Sequence, residues 1–209
     1  MNRRTLLATA ACAAVAPGLV QAAVPASSQA AVGRAAPAFE VIDSAMRKRT
    51  LAEFKGKPVV LEWTSPSCPF AKAQYVSGRM PQLQKWARQR GIVWLTVLSS
   101  HPSRSDYLEP DKAEAFNRGR GGAPSALLID ASGAVGRAYG AQTANHMFIV
   151  GKDGTLRYAG GIDDGETMDP QEVLAAHNYV RAALDDIVAG KAVRVATTQP
   201  FGCEIAYAG

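Results

Sequence analysis

Cysteine is scarce in this sequence: Cys12, Cys68 and Cys203 are the only three among 209 residues. A dense disulfide framework is therefore excluded. Clusters of lysine and arginine interleaved with aromatic residues are also lacking, and the formal net charge is only +5, so nucleic-acid binding is not expected. The composition, 47 % hydrophobic and 20 % charged, is that of a globular chain long enough to bury a core as one domain.

A long apolar run is present at the N-terminus. Arg3-Arg4 precede small and apolar residues from Leu6 to Leu19, and residues 20–22 are suited to signal-peptidase cleavage. The pattern predicts a signal peptide over residues 1–22 and export to the periplasm or beyond, and the paired arginines resemble half of a twin-arginine motif. Because the run is short for a spanning helix, we expect no stable membrane insertion after cleavage; an uncleaved anchor is the alternative.

The rest of the chain divides into three segments. Residues 23–36 are rich in Ala, Ser and Val without periodicity, which predicts a flexible leader. Residues 37–190 carry the alternating elements of the predicted domain, and residues 191–209 form a C-terminal tail that contains Cys203.

Apolar runs and turn residues predict an α/β fold with a central mixed sheet flanked by helices. Predicted strands cover residues 39–42, 59–63, 92–99, 125–129, 146–150 and 155–159, the last two joined as a hairpin. One helix follows Cys68, Pro81 restarts a helix that stops at Gly91, and a weak helix covers 113–118. The final helix is predicted from Asp169 to Gly190, with a capping box completed by Glu172.

Cys68 is the first candidate catalytic residue. Pro69 fits the first helical position, which makes Cys68 the N-cap, so the free amides of Phe70 and Ala71 are expected to point at its sulfur. A thiol in such a place has a pKa of about 3.5–7.5 instead of about 8.5. Lys72, one turn further on, adds positive charge or is simply a solvated lysine. The alternative for Cys68 is an inert buried cysteine.

Glu62 is the second candidate. A carboxylate inside a buried apolar strand is costly unless it is neutral or paired, so its pKa is expected to rise. Such an acid can exchange protons with a nearby thiol. The alternative is an edge position at which Glu62 faces water.

Three segments, residues 33–39, 56–61 and 63–70, resemble the thioredoxin superfamily, most closely its redoxin branch of peroxiredoxin-like (alkyl hydroperoxide reductase/thiol-specific antioxidant) proteins. The resemblance extends from Gly33 to Ala189. It implies a thioredoxin fold in which the active cysteine, Cys68, caps the first long helix and Glu62 is the buried acid six positions earlier. It also implies a thiol-dependent oxidoreductase that acts on a peroxide or a protein thiol/disulfide with an external thiol reductant and no cofactor.

Three positions depart from the patterns of this superfamily. Ala71 stands where thioredoxins have their second cysteine. Ser65 matches the peroxiredoxin Thr/Ser position, but Leu61 replaces the proline of that motif, and its arginine is not assigned among 118, 120 and 137. Asn145 occupies the cis-proline position; a cis bond before a residue other than proline costs about 2.5–4 kcal/mol, so the isomer of the Ala144–Asn145 bond stays open, and a trans bond would alter the contact with a substrate peptide.

Because Ala71 cannot resolve an oxidised Cys68, the role of Cys203 is the central question. Cys203 resolves Cys68, forms a permanent structural bridge with it, or stays free while an external thiol acts. A bridge would make a non-catalytic binding module the alternative function. No metal site is expected, since Thr64 replaces the first of the two cysteines of copper-carrying relatives of this fold.

Overall fold

The computed structural model describes residues 29–207. The predicted signal peptide, residues 1–22, and the beginning of the predicted leader, residues 23–28, lie outside the described residues.

One mixed sheet forms the centre of the domain. Its strands are β1 (Glu40–Asp43), β2 (Lys48–Thr50), β3 (Val59–Trp63), β4 (Val93–Leu98), β5 (Ala126–Ile129), β6 (His146–Val150) and β7 (Leu156–Gly161). They lie in the order β2-β1-β5-β4-β3-β6-β7. The pairs β3–β4 and β4–β5 are parallel, whereas β6 runs antiparallel to both β3 and β7. The predicted hairpin and the predicted α/β class are therefore confirmed.

Six α-helices and one short 3-10 helix are present within residues 29–207. They are α1 (Pro69–Val76), α2 (Arg79–Gln89), α3 (Pro110–Gly119), α4 (Ala134–Tyr139), α5 (Pro170–Ala175) and α6 (Tyr179–Val188), with the 3-10 turn at Leu51–Phe54. None of these helices combines the length and the apolar character that crossing a bilayer requires.

Successive residues of β3 point to opposite faces of the sheet, and each face has its own core. Leu61 packs with Tyr139 of α4 on one side. Val60 packs on the other side with α1, α2 and α6, for example with Leu184. Because both faces are covered, β3 is buried along its whole length, which explains why its residues are apolar except for Glu62.

The final helix differs from the prediction, since it is broken between α5 and α6. Asn178 caps α6 by accepting the amide of Arg181 at 2.7 Å. Asp169 caps α5 as predicted, accepting the amide of Gln171 at 2.7 Å. The predicted capping box is absent from this turn, because the Glu172 carboxylate accepts the hydroxyl of Thr167 instead.

Part of the predicted flexible leader is packed against the domain. The amide of Gly33 donates to the carbonyl of Leu156 at 2.9 Å, and the amide of Ala36 donates to that of Gly154. Val32 and Ala36 also pack against the core beneath α4. The packed chain therefore begins before residue 37, the predicted start of the domain.

Candidate functional site

Cys68 lies between β3 and α1 as the N-cap residue. Its backbone is extended, with φ −81° and ψ 116°, and Pro69 opens the helix. The first helical hydrogen bond runs from the amide of Lys72 to the carbonyl of Cys68, at 2.9 Å. The sequence prediction of this turn is confirmed, because it depends on local residues and on the fixed φ of proline.

The sulfur of Cys68 is bonded to that of Cys203. The two Cα atoms lie 5.6 Å apart, and the bridge joins positions 135 residues apart in the sequence. Cys68 is 1 % exposed and packs with Ala71, Ala144 and Phe70. Within the described chain, the hydrogen bond to the Cys68 sulfur comes from the amide of Cys203 at 3.2 Å. The amides of Phe70 and Ala71 were expected to donate to this sulfur. The amide of Cys203 donates instead, because the tail covers the sulfur.

The tail reaches Cys68 as an extended strap. Ala159 of β7 donates its amide to the carbonyl of Ala196 at 3.1 Å. Further along, Ala144 donates to the carbonyl of Cys203 at 2.8 Å, and Ile205 donates to that of Gln142 at 2.9 Å. The strap therefore approaches the loop between β3 and α1, which carries Cys68, through backbone pairing on both sides of Cys203.

Gly202 permits the close approach of this strap. Its φ is +130°, and a Cβ atom at this position would collide with the carbonyl oxygen of Ala144. A residue with a side chain would meet both strain and a steric clash here.

Glu62 is fully buried, which rules out the water-facing alternative. Its Oε1 accepts the hydroxyl of Tyr75 at 2.6 Å. Its Oε2 accepts the side chains of Gln84 at 2.9 Å, Trp94 at 2.7 Å and Thr96 at 2.9 Å. The indole N–H can only donate, and each of the four side chains of this shell donates a hydrogen bond to the carboxylate.

Sequence reasoning missed the partners of Glu62. Tyr75, Gln84 and Trp94 lie 13, 22 and 32 positions from Glu62 in the sequence. Burial raises the pKa of Tyr75, and the neighbouring Glu62 carboxylate raises it further. Tyr75 therefore keeps its proton and donates a hydrogen bond to Glu62. No hydrogen bond joins Glu62 to Cys68 among residues 29–207, so the expected proton exchange between them lacks direct contact here.

Arg120 is the arginine beside the loop between β3 and α1. Its Nη1 donates to the hydroxyl of Thr64 at 2.9 Å. Its guanidinium carbon lies 3.6 Å from the ring centre of Tyr75 and 4.4 Å from that of Phe116. Arg137, another arginine considered from sequence, lies instead over the ring of Tyr207 at the end of the tail.

The remaining predicted binding residues surround the loop in different ways. Ser65 donates to the carboxylate of Asp106 at 3.3 Å. Lys72 is exposed on α1, one turn after Cys68. Pro69 and Phe70 form the first turn of the helix, and Phe70 meets the ring of Phe201 edge to face at 6.1 Å.

Asn145 lies in a left-handed backbone conformation, with φ +69°, and no cis peptide bond occurs in the described chain. The bond between Ala144 and Asn145 is therefore trans, which decides between the two isomers that the sequence left open. The amide of Asn145 donates to the carbonyl of Trp63 at 2.8 Å, which ties this loop to the end of β3. Asparagine tolerates this conformation better than most residues.

His146 follows in β6 and belongs to the core beside this loop. It is 7 % exposed, stacks on Phe148 with ring centres 4.3 Å apart, and accepts the amide of Gln142 on Nδ1 at 3.2 Å. Burial lowers the pKa of His146 to about 4, so the neutral ring is the form that packs here.

The fold and this site define a thioredoxin-like redoxin: a cysteine capping the helix after a central strand, a buried acid six residues before it, and a facing loop that ends in β6. The AhpC/TSA family model matches residues 32–159. Because that match covers more than half of the sequence, the chain belongs to the AhpC/TSA family.

Solved structures agree with this fold. A hypothetical protein of Sinorhizobium meliloti superposes with a TM-score of 0.73 at 24 % identity, covering 87 % of this chain and 97 % of that one. An uncharacterized conserved protein of Geobacillus kaustophilus gives 0.71 at 22 % identity, covering 85 % and 93 %. A candidate thiol:disulfide interchange protein, DsbE, of Chlorobium tepidum gives 0.53 at 18 % identity, covering 70 % and 98 %. Comparison with curated proteins gave no match.

Proposed function

We propose that this chain is an exported thiol-dependent oxidoreductase in which Cys68 is the nucleophile and Cys203 the resolving thiol. The observation that carries the proposal is the pairing of the helix-capping cysteine with a cysteine on a separate strap of chain. Since Ala71 offers no thiol in the loop itself, the tail supplies the second sulfur. Membership of the AhpC/TSA family supports a redox role for this pair.

The proposed cycle begins with both cysteines reduced. The Cys68 thiolate attacks the terminal oxygen of a hydroperoxide, the O–O bond breaks, and the products are a Cys68 sulfenic acid and an alcohol or water. The Cys203 thiol then displaces water from the sulfenic acid, forming the disulfide of the structure. An external dithiol, or two monothiols, reduces the bridge by exchange and is itself oxidised to a disulfide.

The same bridge supports oxidation of a protein dithiol. In that reaction a substrate thiolate attacks the Cys68–Cys203 disulfide, forms a mixed disulfide, and is released as an oxidised pair by its second thiol. Peroxide and protein thiol/disulfide are therefore the two substrate classes that the test must separate.

A non-catalytic module with a structural bridge is the second candidate. It is favoured by the burial of Cys68, which is 1 % exposed and enclosed by apolar atoms. A bridge closing a segment of 135 residues stabilises the folded chain by about 4–5 kcal/mol in the chain-entropy model.

Export is part of the proposal and is supported by the N-terminal pattern. Arg3-Arg4 and the apolar run from Leu6 to Leu19 form the charged and hydrophobic regions of a signal peptide. An oxidising compartment would also keep the Cys68–Cys203 bridge formed between reactions.

The test is thiol titration of the mature protein after gentle reduction, with and without hydrogen peroxide. The enzyme is expected to lose two thiols rapidly on peroxide addition. Cys68→Ser abolishes that loss. Cys203→Ser arrests the reaction at a Cys68 sulfenic acid, which is detected by its reaction with dimedone. Oxidation of a substrate dithiol by the oxidised protein, with two protein thiols appearing for each substrate disulfide formed, and no thiol loss when peroxide meets the reduced protein, assigns the protein-disulfide reaction instead.

A structural bridge gives a different result in the same experiment. It resists reduction until the protein is unfolded, and neither single variant changes the response to peroxide. That outcome would reject the oxidoreductase in favour of the module.

A further inference from the structure

A cavity of about 610 Å³ lies between α1 and the end of α3, beside the loop that precedes Cys68. Lys72 and Val76 line it from α1, one helical turn apart, and Phe116 and Arg120 line it from the end of α3 with the same spacing. The ring of Tyr75 contributes to its wall. Its volume is in the range of small-molecule sites. Neither cysteine lines it, so this site does not depend on the redox proposal.

The lining of this cavity carries positive charge without an acidic residue. Lys72 and Arg120 supply two cations, and neither belongs to the ion pairs of the described residues. The Nε and Nη2 atoms of Arg120 are buried and have no hydrogen-bond partner among residues 29–207. A bound anion would neutralise these two cations and accept their hydrogen bonds.

Two carboxylates lie close behind the cavity wall, and both have their own donors. Glu62 accepts the hydroxyl of Tyr75 and three further side chains. Asp106 accepts the hydroxyls of Ser65 and Ser100. Neither carboxylate lines the cavity, so its open side presents cations.

Arg120 is held in place before any ligand arrives. Its guanidinium lies between the rings of Tyr75 and Phe116, and Nη1 is bonded to Thr64. Such preorganisation lowers the entropy lost on binding. Val76 and Phe116 add an apolar wall, and Val76 is 63 % exposed although it is a large aliphatic residue.

A second depression, of about 650 Å³, also has more cations than acids, since Lys152 and Lys191 are among its lining residues, but it lies away from Cys68. It is lined by residues of the β6–β7 turn, including Asp153 and Arg157, which form an ion pair at 2.6 Å. None of its lining residues belongs to the loop that carries Cys68.

We infer that the cavity between α1 and α3 binds a small organic carboxylate. The carboxylate faces Lys72 and Arg120, and a short apolar chain lies against Val76 and Phe116. Both chemical features are required: the charge complements the two cations, and the apolar body covers exposed hydrophobic surface.

The test uses hexanoate as the probe, with hexanol and hexylammonium as matched compounds, and isothermal titration of the full oxidised protein. Hexanoate is expected to saturate one site with a Kd of about 1–10 mM, and both matched compounds to bind at least about tenfold more weakly. Lys72→Met removes one charge from an exposed position while keeping the length of the side chain. It is expected to weaken hexanoate about fivefold.

Lys85→Met is the matched control, since Lys85 is an exposed lysine of α2 outside the cavity. It is expected to leave the Kd of hexanoate unchanged. Arg120→Gln should abolish saturation, and chemical shifts of α6 in the same samples report whether that variant is folded. The proposal is overturned if hexanol matches hexanoate, if Lys72→Met and Lys85→Met behave alike, or if no saturation is reached.

Discussion

The buried Glu62 carboxylate is surrounded by side-chain hydrogen-bond donors. Four side chains from three elements donate to it, and Tyr75 links it to the guanidinium of Arg120 across the aromatic ring. This arrangement fixes α1, which carries Tyr75, relative to β3 and β4. The buried acid therefore holds the helix that Cys68 caps, and any proton exchange with the sulfur must pass through a change in this shell.

His146 gives the chain a pH dependence that can be measured. Burial lowers its pKa to about 4 in the folded state, against about 6.5 when unfolded. Below pH 6.5 the unfolded chain binds a proton that the folded chain refuses, so stability falls with falling pH. The loss from this group begins near pH 6.5, is complete near pH 4 and amounts to about 3 kcal/mol.

His146→Gln tests this dependence, because glutamine retains an acceptor for the amide of Gln142 but does not titrate. Urea unfolding at a series of pH values should show a shallower slope between pH 6.5 and 4 for the variant than for the parent chain. Parallel slopes for the two proteins would show that His146 is protonated in the folded state.

At the scale of elements, the break between α5 and α6 can be tested by the sign of one substitution. Asn178→Ala removes the cap of α6, whose Oδ1 accepts the amide of Arg181, and should cost about 1 kcal/mol of unfolding free energy. In an uninterrupted helix the same change would stabilise, because alanine is the better helix former. Urea unfolding decides between the two, and Asn178→Asp, which keeps a capping oxygen, should remain close to the parent chain.

The elements that could be predicted are those whose signals are local. Cys68 and Pro69 determine the start of α1 by themselves, and the β-branched run of β3 determines a buried strand. The break before α6 was missed because no glycine or proline between residues 171 and 189 marks it in the sequence. The role of Asn178 as a cap depends on Asp164, which accepts the amide of His177, and on Arg79, which donates to the carbonyls of Leu174 and Ala176.

The same reasoning explains one strand and several site contacts that were missed, because they depend on residues distant in the sequence. β2 is three polar residues whose strand character comes only from pairing with β1. Thr64 and Arg120 are 56 positions apart, so no local pattern could assign the arginine of the loop. Glu62 was found because a charge in an apolar run is a local anomaly, whereas its four donors come from distant elements.

At the scale of the whole molecule, the strap that carries Cys203 connects the loop of Cys68 with the edge strand β7. Its backbone bonds at Ala196, Cys203 and Ile205 are few and separated, and the covalent bond to Cys68 joins the strap to the loop between them. Reduction therefore removes the constraint that keeps these bonds aligned. Phe201 of the strap belongs to the core on one face of the sheet, but the strands and helices supply most of that core, so the domain is expected to stay folded.

Amide hydrogen exchange of Cys203→Ser measures this release directly. The amide of Ala144 donates to Cys203 of the strap, and the amide of Ile205 donates from the strap to Gln142. Both should exchange at least about tenfold faster in the variant than in the oxidised parent, because local opening replaces a covalent constraint. The amides of β3, which pair with β4 and β6, provide an internal control and should keep their protection. Adding a reductant to the variant should change nothing more. Equal protection of Ala144 in both proteins would mean that backbone pairing alone retains the strap, so that the second sulfur stays beside Cys68 through the whole cycle.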